Sequence, residues 1–293
     1  SVRVARTLNL IAGDGQTNVL HLNTLDWERW NEQTEDQDWL DTYFNGWKKL
    51  KKLRRQKGSD RQFGFDVLLA NPPFAGDIKE SRMLAKYDLG KKPNGKYQTK
   101  VGRDLLFIER NLDFLKPGGR MAVVLPQGRF NNSSDKHLRD YIAEHCRILA
   151  VVGLHGNVFK PHTGTKTSVL LVQKWDDKLC PKQEDYPIFF ATMQEPSKDN
   201  SGEKIYLRKK DIAVFQDAND SDDDAGDTPQ VNDPTAHYLT TGTSLDEFVL
   251  DTHGHLIVKH DLFNHDGQTR DGVAEAFREF AKRERLSFAP GKR

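Results

Sequence analysis

The sequence predicts an α/β fold, an open and largely parallel sheet whose last strand runs antiparallel. Three observations lead there. Residues 65–175 alternate in the order strand, helix, strand, helix, strand, strand. The first of these strands, 65–70 (FDVLLA), is apolar on both faces, the signature of a strand buried between helix layers. Proline and glycine punctuate the segments at Asn71-Pro72-Pro73-Phe74, Lys116-Pro117-Gly118-Gly119 and Pro126.

Each element has its own warrant. Residues 1–12 carry apolar side chains at helical spacing and run into Gly13-Asp14-Gly15, a glycine stop. Residues 18–22 (NVLHL) read as a short strand. The stretch 26–62 is aromatic, with Trp27, Trp30, Trp39, Phe44 and Trp47. It then turns basic, with Lys48, Lys49, Lys51, Lys52, Arg54, Arg55, Lys57 and Arg61. Two readings fit it: an amphipathic helix with solvated cations, or a phosphate-contacting face. Residues 104–115 form an amphipathic helix, 120–125 a buried strand, and Ser133 or Ser134 can cap a helix running to His145. Strands follow at 148–154 and 167–174, with a further short one at 187–191. Residues 217–233 hold seven aspartates with Ser, Gly and Pro, a solvated linker. A basic amphipathic helix spans 273–285.

Composition bounds the rest. In 293 residues, 44 Lys and Arg face 43 Asp and Glu, so the net charge is +1, and 30% of residues are charged. The balance excludes no partner, because the charge is unevenly spread along the chain. Two cysteines exclude a disulfide framework and a Cys-built zinc cluster. No apolar run approaches the ~18–20 residues of a membrane span, and no apolar segment follows the arginines of 1–9 as a signal peptide requires. The expectation is a cytoplasmic protein. His253, His255, His260 and His265 cluster in sequence, but nothing at familiar ligand spacing accompanies them, so no metal site is expected. Thr163-Gly164-Thr165-Lys166-Thr167 lacks the spacing of a phosphate loop and reads as a connection between strands. Cys146 and Cys180 have no setting that would make either a nucleophile.

The chemistry concentrates at Asn71-Pro72-Pro73-Phe74. A parallel strand delivers its carboxyl end to the ligand crevice of an open α/β sheet. Here that end presents an amide, then two prolines, whose fixed φ and missing N–H leave carbonyls pointing in set directions. An amide oxygen and a carbonyl on one rim can accept both hydrogens of an NH₂ attached to a ring. That favours a more tetrahedral nitrogen with an available lone pair, and the neighbouring Phe74 can stack on the ring. Methyl transfer to an exocyclic amine or an amide is the chemistry such a rim suits.

The motif resembles that of S-adenosylmethionine-dependent N6-adenine DNA methyltransferases. The ordered set is more specific: 65–74, then Leu106-Phe107-Ile108-Glu109, then 115–126, then Gly156-Asn157-Val158-Phe159 and 163–167, then Ala276-Phe277-Arg278 to Phe288. Together these resemble the modification (M) subunit of type I restriction–modification systems, over most of the chain. The resemblance implies a Rossmann-like methyltransferase sheet. It implies that Asn71 and the Pro72 carbonyl hold the target N6, with Pro73 completing the turn, and that Phe74 stacks on a flipped base. It places Asn23, Thr24 and Leu25, with Asn71, against S-adenosylmethionine, although an Asp is common where Asn23 stands. It implies duplex DNA and the specificity and restriction subunits as partners, and no membrane. The basic loop after the motif, with Lys79, Arg82, Lys91, Lys92, Lys96 and Lys100, reads either as a solvated loop or, from its place beside the proposed base pocket, as a contact to backbone phosphates.

The family's glycine-rich cofactor loop has no counterpart after a strand, since Gly13-Asp14-Gly15 follows a helix. On this reading the first strands of the sheet and the N-terminal helical domain are lacking, and the isolated chain is expected to be inactive. The expected organisation is a partial catalytic domain over 1–190 with an insertion at 26–62, an irregular extension over 191–270, and a C-terminal helix over 271–293. The alternatives are an RNA or protein-glutamine N-methyltransferase, or a truncated non-catalytic subunit that binds DNA or partners.

Overall fold

The computed structural model of the protein describes residues 2–13, 18–59, 61–92, 94–212 and 247–288. The acidic stretch 217–233 lies outside them. The chain divides into a first unit, Ser1–Ile148 with Leu170–Asp185, and a second, Leu149–Val169 with Tyr186–Arg293.

In the first unit, α1 (Val2–Ile11) ends at Gly13, whose φ of +76° supplies the expected stop. Residues 18–22 form no strand, contrary to expectation. The carbonyl of His21 accepts the Trp39 indole N–H at 3.0 Å, and the segment lies along a helix rather than in a ladder. The insertion folds as two pieces, a 3₁₀ stretch Trp27–Glu35 and then α2 (Gln37–Lys57). Asp36 caps α2 by accepting the Trp39 N–H, and Gly58 closes it at φ +60°. Trp30, Trp39 and Trp47 are buried, Trp39 and Trp47 edge to face at 5.9 Å.

β1 (Phe65–Ala70) leads through the motif to β2 (Asp77–Ile78), α3 (Ser81–Leu84) and β3 (Val101–Gly102), then to α4 (Arg103–Phe114). β4 (Leu115–Pro126), α5 (Gly128–Asn131) and α6 (Lys136–His145) follow. Neither Ser133 nor Ser134 caps α6. Asp135 takes the N-cap position and makes no capping bond, because its carboxylate is held by Arg129 at 3.1 Å. Leu105, Leu106, Ile108 and Leu112 of α4 and Met121, Val123 and Leu125 of β4 are buried and form the core beside the motif.

With β5 (Cys146–Gly153), β6 (Thr167–Lys174) and β7 (Phe189–Thr192), the strand order is β1-β4-β6-β5-β7. β1 and β4 are parallel, as are β5 and β7. β6 is antiparallel to β5: Leu154 N–H donates to Thr167 at one end, and Trp175 N–H donates to His145 at the other. This is the alternation and the reversed strand that the sequence predicts.

β1 departs from expectation in one respect. Among the described residues it stands at the end of the sheet order and pairs with β4 alone, so its apolar residues are not buried on both faces. Phe65, Val67 and Leu69, which share one face, are 41%, 55% and 78% exposed.

In the second unit, short antiparallel bridges join Tyr206 to Val258, Arg208 to Phe248 and Leu250 to Leu256, with α7 (Lys209–Ile212) beside them. α8 (Val273–Arg283) begins where Glu275 accepts the Gly272 N–H at 2.8 Å. Its Phe277 and Phe280 meet Phe189 of β7 at 5.5 and 5.6 Å between ring centroids. The apolar face of this helix is therefore filled from within its own unit.

Candidate active site

The parallel pairing of β1 and β4 brings their carboxyl ends to one edge, with Ala70 opposite Val123. Asn71 to Phe74 leave β1 at that edge, where an open α/β sheet binds ligands. Asn71 is exposed, Pro72 buried, Pro73 exposed and Phe74 half-buried. Among the described residues, the Asn71 side chain makes no hydrogen bond and the Pro72 carbonyl accepts no backbone N–H. Burial of Pro72 anchors the turn, while the amide beside it stays open. At the other end of the strand, Asp66 is bound by Lys116 at 2.9 Å through both oxygens, which holds its carboxyl below the usual range. Asp66 thus braces β1 against β4 rather than facing the motif.

The chain beyond the motif makes a closed excursion. Gly76, at φ +99°, turns it into β2, and the Arg103 guanidinium lies 3.1 Å from where a Cβ would stand. β2 pairs antiparallel with β3, Ile78 opposite Val101, and returns the loop to the start of α4. There Asp104, nearly fully buried, is held by Arg129 at 2.8 and 3.0 Å, and Arg129 also binds Asp135. This triad ties the start of α4 to the segment that leaves the carboxyl end of β4.

The six basic residues of the excursion have different fates. Arg82 binds the buried Asp26 at 2.6 and 3.0 Å and Glu80 at 2.9 Å, so its charge is already spent within the protein. Lys91 pairs with Asp88 at 3.1 Å and Lys100 with Asp77 at 3.4 Å. Lys79, Lys92 and Lys96 are exposed and have no ion pair among the described residues.

Asn23, Thr24 and Leu25 lie apart from the motif in sequence and are clamped by their surroundings. The Asn23 side-chain oxygen accepts the Leu25 N–H at 3.2 Å, and its backbone carbonyl accepts the Trp30 indole at 2.6 Å. Thr24 O accepts from Arg110 at 2.9 Å, and Leu25 O accepts the Tyr87 hydroxyl at 2.7 Å. Asn23 presents its amide nitrogen, with no partner among the described residues, while its oxygen is turned back on the chain.

Sequence reasoning missed the polar cluster beneath this clamp. Glu109 is fully buried on α4; it accepts the N–H groups of Asp88 and Leu89 and pairs with Arg61 at 2.6 Å. Burial pushes the Glu109 carboxyl up, against those bonds. Arg110, also fully buried, lies over Phe114 at 4.3 Å and Trp27 at 4.6 Å and donates to the carbonyl of Arg61. Burial brings its guanidinium down to about 10. The available signal was an adjacent Glu-Arg pair inside an otherwise apolar helix face.

The other sequence features play smaller parts. His260 and His265 meet at 2.9 Å between Nε2 atoms, and burial lowers the His260 pKa. No group of three or more metal-ligating side chains occurs among the described residues. Residues 163–166 form a surface connection in which the Thr163 and Thr165 hydroxyls bond at 2.9 Å, and Thr167 is the buried first residue of β6. Cys146 is buried and its thiol pushed up to about 12 by burial, so it is inert. No helix among the described residues is long and apolar enough to cross a membrane.

An amide followed by two prolines and an aromatic, at the carboxyl end of a parallel strand, defines an α/β protein of the methyltransferase class. The N-6 DNA methylase family model matches residues 29–235, and the chain belongs to that family. It is 33% identical over 110 residues to the Escherichia coli type I restriction enzyme EcoEI methylase subunit, covering 37% of this chain and 21% of that protein. It is 27% identical over 114 residues to the Escherichia coli type II restriction enzyme and methyltransferase RM.Eco57I, covering 38% of this chain and 11% of that protein. Among solved structures, the type I restriction-modification system methyltransferase subunit from Streptococcus thermophilus is similar at 30% identity. That match covers 39% of this chain and 24% of the other, with a TM-score of 0.32. The chain thus spans about a fifth of the first of these relatives and about a ninth of the second.

Proposed function

We propose that this chain carries the acceptor half of an adenine-N6 DNA methyltransferase that works within a type I restriction–modification system. The observation that supports it is the open, unbonded amide of Asn71 beside the buried Pro72 at the carboxyl end of β1. Family membership and the likeness to a type I methylase subunit support the same reading.

The Asn71 oxygen and the Pro72 carbonyl accept the two N6 hydrogens of a flipped adenine and orient its lone pair. Pro73 fixes the turn, and Phe74 stacks on the base. Orientation of this kind supplies much of the rate of a bimolecular transfer. S-adenosylmethionine, when bound, supplies an electrophilic methyl on a sulfonium, and N6 releases a proton to water as it gains the methyl. The residues present fit this donor on the acceptor side through Asn71. On the cofactor side they offer the Asn23 amide nitrogen and the clamped backbone of Thr24 and Leu25, but among the described residues no glycine turn follows a strand ahead of Asn71. Lys79, Lys92 and Lys96 contact backbone phosphates. A specificity subunit selects the site and a restriction subunit completes the assembly, in the cytoplasm.

The test is mass spectrometry of nucleosides from duplex DNA incubated with the chain, its assembly partners and the methyl donor. N6-methyladenine is expected, and Asn71→Ala should lower its yield at least ~100-fold with an unchanged thermal melt, by analogy with loss of a transition-state contact. Labelled RNA or protein in place of DNA, or full activity in the Asn71 variant, rejects the reading. Calorimetric titration of the methyl donor into the chain alone reports separately whether residues 23–25 suffice to hold it.

A further inference from the structure

The proposed function does not use the basic end of α2, and that end forms the most distinctive surface of the first unit. Phe44, Lys48, Lys51, Lys52 and Arg55 fall at helical offsets 0, +4, +7, +8 and +11, which places them on one continuous stripe. Trp39, Trp47 and Arg54 of the same helix are buried; Trp47 forms part of the groove wall, with the Lys51 ammonium 5.7 Å from its ring centroid. The stripe lines a groove of about 980 Å³ bordered by Thr34 and Leu40. Among the described residues no carboxylate lines this groove, and none lines the adjoining hollow that shares Lys51 and Arg55 and extends to Asn31 and Ser59. The sequence has no acidic residue between Asp41 and Asp60. Lys48, Lys51, Lys52 and Arg55 are exposed and make no ion pair among the described residues.

Two ordinary explanations fall short. Cations in the last helical turn complement the unsatisfied carbonyls there, but this reaches only the final residues and leaves Lys48, Lys51 and Lys52 unexplained. Solubility requires dispersed charge of both signs, whereas this patch is of one sign on a chain whose net charge is +1. Four cations with no ion pair among the described residues, one of them over the Trp47 ring, repel one another across the groove, and a polyanion relieves that repulsion.

We infer that this groove binds the phosphodiester backbone of duplex DNA, as an anchoring site separate from the loop that follows the Asn71 motif. The inference rests on the proposed DNA substrate. From Lys48 to Arg55 the helix rises about 10 Å. That distance spans roughly three phosphates of one strand, at about 3.4 Å of axis per phosphate. The groove would add affinity and register without reading sequence, because it presents only charge.

The experiment measures binding of the full chain to a fluorescent duplex across a salt series. It compares the wild type with two variants: Lys48→Gln/Lys51→Gln/Lys52→Gln/Arg55→Gln in the groove, and Lys79→Gln/Lys92→Gln/Lys96→Gln in the loop. Neutralising about three phosphate contacts should make the slope of log K against log salt shallower by about 2–3, and should weaken binding roughly 10- to 100-fold near 0.1 M salt. All the substituted groove side chains are exposed, so the thermal melt should hold and serve as the folding control. An unchanged slope in the groove variant, with a shallower one in the loop variant, overturns the groove and leaves the DNA substrate standing. A wild type that binds no duplex at low salt overturns both. Displacement of the duplex by poly-glutamate at equal charge concentration points to an acidic polypeptide and also overturns the inference.

Discussion

Asn71 and Tyr87 show how single side chains divide the work. Among the described residues the Asn71 amide bonds no protein group, and its exposure at a strand end leaves it open to a ligand. Tyr87 is fully buried and gives its hydroxyl to the Leu25 carbonyl, and burial pushes its ionisation well above the usual range, so it stays a donor at all working pH values. Tyr87→Phe keeps the ring packed against Trp27, 5.6 Å away edge to face, but leaves a buried carbonyl unbonded. The expected cost is about 1–2 kcal/mol of stability, read from urea unfolding. A neutral outcome would mean that water or another donor reaches Leu25. Neither role follows from residue type alone: an Asn or a Tyr in sequence carries no mark of who its partner is.

At the scale of elements, the segment 23–26 is held by groups from distant parts of the chain. Asp26 binds Arg82 at 2.6 Å and Lys86 at 2.9 Å, and the Arg82 hydrogen bond leads the causes that bring its carboxyl down to about 2, against 3.8 in the free residue. The sign follows from linkage. A depressed folded pKa favours the folded state above the ordinary value, and that contribution is lost as pH falls from 3.8 through about 2. Asp26→Asn should therefore cost about 1–2 kcal/mol at neutral pH, discounted for the half-exposed Arg82, and the cost should shrink toward zero as the pH falls through about 2. Thermal melts from pH 7 down to pH 2 decide it; an equal loss at every pH would show that packing, and not charge, was removed. The element pattern explains why the basic loop cannot be treated as one surface. Arg82 looks in sequence like its neighbours Lys79 and Lys92, but only the fold brings Asp26 against it, 56 residues away.

For the molecule as a whole, the sheet order matters more than any one contact. β1 is an edge strand that exposes Phe65, Val67 and Leu69 in a row. Exposed apolar edges invite pairing between chains. The chain should self-associate at concentrations where a Val67→Lys/Leu69→Lys variant remains monomeric, as light scattering would show. Equal association by both would place the sticky surface elsewhere. The same edge explains the one mistaken burial pattern in the sequence reading. Apolar alternation on both faces signals that a strand can be covered, and does not say what covers it in this chain.

The sequence by itself determined the alternation of strands and helices from 65 to 174, the reversal of the strand that ends this stretch, and the position of the motif at a strand end. These follow from local hydrophobic period and from proline and glycine, which act within a few residues. It also carried the family, because each motif is a short local run and the N-6 DNA methylase match over residues 29–235 includes those from 65 to 167. Only the tertiary structure decided the fate of residues 18–22, which lie along α2 with His21 bonded to Trp39 and form no strand. It alone brought Arg110 and Tyr87 onto the carbonyls of Thr24 and Leu25, set the Glu109–Arg61 pair beneath them, and separated paired from unpaired lysines. The physical reason is common to all of these. Burial and ion pairing depend on which groups meet across tens of residues, and a one-dimensional pattern does not encode those meetings.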